Sequence, residues 1–170
     1  MVDGKKNPSK PGSRAACLGG KYLTFDLGKE EFGIGILQVR EIIGMMSIRP
    51  LPRVPDFIKG VINLRDKVIP VIDLRLRFGM EPAAYDERTC IIVVETHDSE
   101  GDIPMGLVVD AVNEVTNIKT EQMESTPSFG VALDTAYILG MAKSEGRVKV
   151  LLDIDCVLGV DDLESLRNVA

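Results

Sequence analysis

FIKGVINLRDKVIPVIDLRLRFG, residues 57–79, is the stretch on which the fold of this protein depends. Its pattern predicts a β-hairpin, with one strand at about 60–64, a turn at Arg65-Asp66 and a second strand at about 67–73. A short basic helix follows the second strand and stops at Gly79. The remaining strands are best placed by their relation to this hairpin.

The second strand of the hairpin is apolar at five adjacent positions, Val68 to Ile72. A strand with one solvent-exposed face alternates apolar and polar residues. This strand does not alternate, so it is predicted to be covered on both faces. Pro70 has no N–H to donate, which predicts a position at a sheet edge or a bulge. An apolar edge strand needs a partner, either another part of the chain or another protein.

The composition is that of a globular protein: 170 residues, 45% hydrophobic and 27% charged. This length allows one ordinary domain or two small subdomains. The net charge is −6 although residues 1–20 carry four basic residues against one acidic. The acidic body argues against nucleic acid as a partner. No apolar run approaches the length of a membrane span, so direct membrane insertion is not expected.

Three cysteines are widely spaced and form no CxxC or Cys/His cluster. This pattern predicts reduced thiols, a cytoplasmic location, and neither a metal site nor a cofactor. Asp73 and Asp153 follow apolar strands and are predicted to be N-caps of short helices rather than a catalytic dyad. His97 lies in a polar turn without a nucleophile nearby. No catalytic residue is therefore predicted, and a binding module is favoured over an enzyme.

The pattern of the chain divides it into a tail, a β-rich body and a terminal helix. Residues 1–20 are rich in Gly, Pro, Ser and Lys and are predicted to be a disordered tail. The alternating strand Lys21–Leu27 opens the body, and a helical period is predicted over Ile36–Ile43, with Glu41 on its exposed side. Residues 161–170 are predicted to form a C-terminal helix.

The chain contains an internal repeat. A shift of 80 residues places VIPVIDL at 68–74 against VKVLLDI at 148–154. A shift of 73 residues aligns three earlier positions: Gly33 with Gly106, Val39 with Val112 and Glu41 with Glu114. The repeat predicts two similar β subdomains, each a small barrel of short strands. Chance similarity between generic strand patterns remains the alternative.

The predicted hairpin also suggests an interaction surface. Arg65 projects from the hairpin tip beside an apolar edge, and Glu41 is predicted to be exposed nearby. Together they suggest a groove with an apolar floor and charged rims, which suits a helical protein partner.

Three motifs closely resemble the CheW family, the coupling proteins of bacterial chemotaxis: FGIGILQVREI at 32–42, IKGVINLR at 58–65 and VIPVIDLR at 68–75. The likeness runs from about Lys21 to Gly159, within a predicted CheW-like domain at 21–160. It implies a mainly β fold of two packed five-stranded SH3-like β-barrel subdomains with short helices. The subdomains are expected at roughly 21–80 and 87–159, with an exchange of terminal strands left open.

The resemblance implies a non-enzymatic adaptor. Its expected partners are the helical hairpin at the cytoplasmic tip of chemoreceptors and the regulatory domain of the histidine kinase CheA. Such a protein is a scaffold of receptor–kinase arrays, so it is expected in the cytoplasm and recruited to membrane-associated arrays. The alternative is a coupling protein of a related signalling system that does not control flagella.

The resemblance also implies partner-binding residues, position by position. Five are expected around a receptor groove and two at a kinase or other partner in the second barrel: Val39, Glu41, Gly60, Arg65 and Val68, then Gly106 and Val112. As a fork donor, Arg65 is expected to hold a receptor carboxylate or carbonyl. Glu41 is expected to pair with a basic group. Asp66 departs from the glycine that the family usually has after Asn-Leu-Arg, which puts the receptor preference in doubt.

Overall fold

The computed structural model describes residues 19–98, 101–124, 138–144 and 146–157. These residues are mainly β, which confirms the predicted fold class. The predicted C-terminal helix at 161–170, and all but the last two residues of the predicted tail, lie outside the described residues.

The strands of the first half are β1 Gly20–Leu27, β2 Glu30–Gly35, β3 Val39–Gly44, β4 Ile58–Leu64 and β5 Lys67–Asp73. Those of the second half are β6 Cys90–Asp98, β7 Gly101–Val109, β8 Ala111–Ile118, β9 Met123–Glu124, β10 Ile138–Ser144 and β11 Arg147–Leu152. The helical elements are the α-helix α1 Leu74–Arg77 and the 3₁₀ turns Ile36–Gln38, Thr120–Gln122 and Ile154–Cys156. The predicted hairpin is thus confirmed as β4–β5 followed by α1.

The described strands form two sheets, of orders β8-β1-β2-β11-β10-β9 and β3-β6-β7-β5-β4. In the pairing of these strands both sheets are open, so the hydrogen-bonded closure expected of barrels is not seen. Each sheet draws strands from both halves of the chain. The sheets therefore do not follow the predicted division into 21–80 and 87–159, and the strand exchange is extensive.

The strand order makes the internal repeat visible. Strands β1–β5 correspond in order to β6, β7, β8, β10 and β11. Each sheet combines the first two strands of one half with the last three of the other. The parallel pairs Val71↔Gly106 and Leu151↔Gly33 are related by the two sequence shifts. This reciprocal exchange confirms the repeat.

Among the residues that the structure describes, three groups of buried apolar side chains stabilise the sheets. The largest lies between them and includes a stack of Phe25, Phe32 and Phe78, with ring centroids 6.0 and 5.8 Å apart. A second group belongs to the five-stranded sheet and a third to the six-stranded sheet. On β5, Ile72 packs into the first group and Val71 into the second. The prediction that this strand is covered on both faces is confirmed.

The prediction for Pro70 is wrong for the strand as a whole, because β5 lies inside its sheet between β7 and β4. The parallel pairing with β7 begins only at Val71, directly after the proline. On that side the first part of β5 pairs with no other strand among the described residues. The missing N–H of Pro70 therefore interrupts no pairing with β7.

The predicted helix at Ile36–Ile43 is also wrong. The chain makes one 3₁₀ turn, Ile36–Gln38, and then the strand β3, which pairs with β6. Val39, Ile42 and Ile43 are β-branched, and their cross-strand packing outweighs the helical spacing of the apolar residues. Glu41 is consequently a strand residue.

Both predicted N-caps are confirmed. The Asp73 carboxylate accepts hydrogen bonds from the backbone N–H groups of Arg75 at 2.9 Å and Leu76 at 3.4 Å. Asp153 accepts from the N–H of Asp155 at 3.1 Å. Asp73 also accepts from the Tyr85 hydroxyl at 2.8 Å. The two duplicated carboxylates are thus engaged in local structure.

Asp110, between β7 and β8, ties the two sheets together. It accepts two hydrogen bonds from the Arg75 guanidinium, at 2.8 and 2.6 Å, and one from the Gly28 backbone N–H at 2.8 Å. The hydrogen bonding from Arg75 lowers the pKa of Asp110 below its usual range, in spite of partial burial. The charged form of Asp110 is therefore favoured by folding.

We expect Asp110→Asn to make the free energy of unfolding depend less steeply on pH in the acid range. A carboxyl with a lowered folded-state pKa contributes stability above its unfolded pKa of about 4, and this is lost as the pH falls through the folded value. Urea unfolding at several pH values between about 7 and 3 measures the slope. Asp56→Asn, at an exposed position, is the control. An unchanged slope in Asp110→Asn would contradict the assignment.

Candidate functional site

The tip of the β4–β5 hairpin is a tight turn of two residues. Arg65 and Asp66 have φ angles of 51° and 67°, so both are left-handed, as in a type I′ turn. Aspartate tolerates this conformation better than most residues, at some cost relative to glycine. The turn therefore forms with Asp66 in place of the expected glycine, and it fixes the direction of the Arg65 side chain.

Arg65 and Glu41 form an exposed, bidentate ion pair. One guanidinium nitrogen donates to Glu41 Oε1 at 2.8 Å and the other donates to Oε2. The Arg65 side chain is 72% exposed and that of Glu41 is 26% exposed. The hydrogen bond from Arg65 lowers the pKa of Glu41, and that of Arg65 is correspondingly raised. Each residue thus already holds a partner of the kind that the resemblance led us to expect from a receptor.

This ion pair joins the two ends of the five-stranded sheet. Glu41 lies on β3 and Arg65 on the turn of the β4–β5 hairpin, and β3 and β4 are the end strands of that sheet. The sheet must therefore curl far enough to bring its ends within side-chain reach. Sequence reasoning placed the two residues near one groove but did not foresee that they bind each other.

A recess of about 360 Å³ lies beside the ion pair. Its apolar lining comes from four residues: Leu64, Ile69, Val93 and Pro104. Its charged lining comes from five: Arg40, Glu41, Arg65, Lys67 and Glu95. Arg40 and Glu95 form a second ion pair on the rim. Sequence reasoning missed Arg40 and Glu95, since only the pairing of β3 with β6 brings these residues together.

Three of the predicted site residues lie in one row across the five-stranded sheet. Glu41 is opposite Val93, Val93 is opposite Gly106, and Gly106 is opposite Val71. Val71 in turn is opposite Gly60. Residues paired in this way point to the same face of a sheet. Glu41, Gly106 and Gly60 therefore belong to one structural unit, although only Glu41 lines the recess.

The two glycines of this row serve close packing. A Cβ on Gly106 would lie 2.6 Å from Cγ2 of Ile91. A Cβ on Gly60 would lie 2.0 Å from the carbonyl oxygen of Arg49, and Gly60 has a φ of +143°. Both residues are buried. Their geometry indicates that close packing requires glycine at both positions.

Val39 and Val112 occupy corresponding positions on β3 and β8. Val39 pairs with Val94 and Val112 pairs with Phe25. Both valines are partly buried and pack against the apolar group between the sheets. Neither lines the recess beside Arg65. The structure therefore separates these two residues from Glu41 and Arg65.

Val68 is 48% exposed and lines a different depression, of about 500 Å³, formed with the segment 47–50 and with β4. An adjoining depression of about 430 Å³ shares Ile48 and Pro50 with it and adds Met45 and Met46. We call this surface the apolar strip. It is defined by six residues: Met45, Met46, Ile48, Pro50, Val61 and Val68. Most of the strip was missed by sequence reasoning, although the apolar residues in MMSIRP at 45–50 were a usable signal.

The apolar strip rests on a firmly held segment. The backbone of Arg49 exchanges two hydrogen bonds with Val61 on β4, at 2.8 and 2.9 Å. This bridge satisfies part of the edge of β4, which would otherwise expose unpaired backbone groups. The strip is therefore preformed.

None of the helices within the described ranges is long and apolar enough to cross a membrane.

Comparison with known proteins gives consistent matches. The family model described as a CheW-like domain matches residues 21–161. The Chemotaxis protein CheW of Klebsiella aerogenes is 40% identical over 153 residues, covering 90% of each chain. That of Rhizobium meliloti is 32% identical over 147 residues, covering 86% of this chain and 92% of the relative. The crystal structure of the scaffolding protein TtCheW from Thermoanaerobacter tengcongensis superposes with a TM-score of 0.76. It is 35% identical and covers 85% of this chain and 96% of its own.

Proposed function

This chain belongs to the family of CheW-like domains, and from that premise we propose that it is a non-enzymatic adaptor of chemotaxis signalling. It couples the cytoplasmic tips of chemoreceptors to the histidine kinase CheA and acts as a scaffold in receptor–kinase arrays. Its place is the cytoplasm, at the membrane-associated array. The names of the relatives, chemotaxis protein and scaffolding protein, support this role.

The observation that carries the proposal is the recess beside the Glu41–Arg65 ion pair. Its apolar lining suits the apolar side chains that a helix presents at i, i+3 and i+4. Glu41 takes two of the five N–H donors of the Arg65 guanidinium, and the others are free to bind a carbonyl or carboxylate of the receptor. A receptor tip, as a helical hairpin, supplies both kinds of group.

The apolar strip supports the second partnership. It lies on a set of residues distinct from the recess, so one chain has room for two partners at once. Exposed, contiguous apolar surface on a folded protein marks a protein interface. We assign the strip to the regulatory domain of the kinase and move Val68 from the receptor groove to this surface. Val39, Gly106 and Val112 have an indirect role in partner binding, because their packing supports the strands of the two sheets.

An adaptor is also supported by the state of the two duplicated carboxylates. Asp73 and Asp153 each cap a helical turn and are nearly buried. A catalytic carboxylate pair requires two such groups to face a common substrate. These two hold local structure instead, which favours binding over catalysis.

Reconstitution of receptor, kinase and this protein tests the proposal. We expect the wild-type protein to raise receptor-dependent kinase activity and Glu41→Lys to abolish most of that increase. A lysine there repels Arg65 and removes the carboxylate that holds it. Glu114→Lys is the matched control, since Glu114 is exposed at the corresponding position of β8. No activation by the wild-type protein would overturn the adaptor role, and full activation by Glu41→Lys would remove Glu41 from the site.

A further inference from the structure

A charged pair is buried where the second hairpin joins the six-stranded sheet. Glu31 on β2 lies directly opposite Lys149 on β11, in the parallel pairing of these strands. Lys149 Nζ is 3.4 Å from Glu31 Oε1, and both side chains are only 4% exposed. Asn113 donates to Glu31 Oε2 at 3.1 Å, and Arg147 lies 3.6 Å from Oε1.

The surroundings of Glu31 favour its charged form. Burial by itself raises the pKa of Glu31, but the hydrogen bond from Asn113 and the charges of Lys149 and Arg147 bring it below the usual range. A buried carboxylate or ammonium without its partner is strongly unfavourable. Each member of the pair therefore depends on the presence of the other.

The corresponding place in the other sheet is apolar. The sequence shifts of 80 and 73 residues carry Lys149 onto Ile69 and Glu31 onto Pro104. Both of these residues line the recess beside Arg65. The β4–β5 and β10–β11 hairpins thus have similar strands. At this position, however, both facing residues are charged for β11 and both corresponding residues are apolar for β5. The pairing at the glycines is the same in both sheets, since Gly33 lies opposite Leu151 and Gly106 lies opposite Val71.

We propose that the Glu31–Lys149 pair decides which hairpin enters which sheet and so positions Arg65 beside Glu41. In the exchanged pairing, β5 would lie on β2 and β11 on β7. Glu31 would then face Ile69, and Lys149 would face Pro104. Both charges would then be buried without an opposite charge beside them, so the exchanged pairing is disfavoured.

The consequence reaches the recess on the opposite sheet. Arg65 lies near Glu41 because its hairpin joins the sheet that ends in β3. In the exchanged pairing the same hairpin would join the sheet that ends in β8, beside Glu114. Glu31 and Lys149 are therefore positioning residues for a site that they do not touch. Their importance for receptor binding rests on the proposed function, whereas their control of strand pairing does not.

Two pairs of engineered cysteines distinguish the pairings. Extending the register of β2 and β11 by one residue beyond Glu31 and Lys149 places Glu30 opposite Val148, and both positions are exposed. In the exchanged pairing Glu30 would lie opposite Val68 instead, which is also exposed. The native cysteines are replaced by serine. The same chain then carries all three engineered cysteines, Glu30→Cys, Val68→Cys and Val148→Cys, so that the cysteine at position 30 can crosslink to either hairpin. The full chain is unfolded in urea, refolded and oxidised, and the crosslinked monomers are mapped by mass spectrometry.

We expect the parent to form the 30–148 crosslink alone. Moving the lysine between hairpins, with Ile69→Lys and Lys149→Ile, is expected to replace it by the 30–68 crosslink. The reversed pair, Glu31→Lys with Lys149→Glu, is expected to keep the 30–148 crosslink. Any other pattern in the moved-lysine variant, including 30–148 alone or no crosslink, overturns the proposal. Because neither receptor nor kinase is present, the result is independent of the proposed function.

Discussion

Replacing Gly60 with alanine is expected to remove a large part of the stability of this protein. The new Cβ would lie 2.0 Å from the Arg49 carbonyl oxygen, which itself accepts the backbone hydrogen bond of Val61. The φ of +143° adds backbone strain. Strain and overpacking together cost about 2–5 kcal/mol, against a total stability of about 5–15 kcal/mol for most domains.

Urea unfolding followed by circular dichroism measures this loss. Gly35→Ala is the control, because a Cβ there meets nothing within 4 Å and its φ is not positive. It is expected to leave the midpoint nearly unchanged. A Gly60→Ala protein that unfolds at the midpoint of the wild type would show that the segment at Arg49 moves aside freely.

This prediction changes how a Gly60 variant is interpreted. Loss of receptor binding in such a variant would follow from the displaced Arg49 segment and hairpin, which carry the apolar strip and Arg65. A contact residue loses binding while the fold remains. The comparison of unfolding with binding therefore separates support from contact.

Arg65→Ala is expected to show the opposite behaviour. Binding to a receptor fragment should fall by at least about tenfold, as for an anchoring arginine at a protein interface. The thermal midpoint should change little, because exposed ion pairs add little to stability. Arg65→Lys should also bind weakly, since an ammonium cannot reproduce the fork that holds Glu41 and a receptor group together.

Co-sedimentation with receptor-containing membranes measures the binding, and differential scanning calorimetry measures the midpoint. The exchanged double variant, Glu41→Arg with Arg65→Glu, restores the ion pair within the protein but reverses its polarity. It should fold normally and still fail to bind. If it binds as the wild type does, the pair only joins the ends of the sheet, and the proposed contact of Arg65 with the receptor is wrong.

The local features were well predicted wherever one short stretch contains the whole cause. The Arg65-Asp66 turn, the strands on each side of it and the caps at Asp73 and Asp153 all follow from neighbouring residues. The helix predicted at Ile36–Ile43 failed because the spacing of its apolar residues also fits an edge strand. Only the pairing with β6, which is distant in sequence, decides between the two.

The candidate site was predicted in part. Glu41 and Arg65 do lie at a common recess, but the ion pair between them, and that between Arg40 and Glu95, depend on how far the sheet curls. Val68 was assigned to the same groove by the family resemblance. Side chains alternate along a strand, so Val68 and Ile69 face different depressions.

The sequence alone determined the hairpin, the mainly β character, the internal repeat and the family resemblance, since these depend on residue order and local conformational preference. The tertiary structure alone decided which hairpin joins which sheet, and thereby which charges meet at Arg65. Two similar halves offer nearly equivalent strand partners, and the choice between them depends on contacts between residues far apart in the chain, such as Glu31 and Lys149.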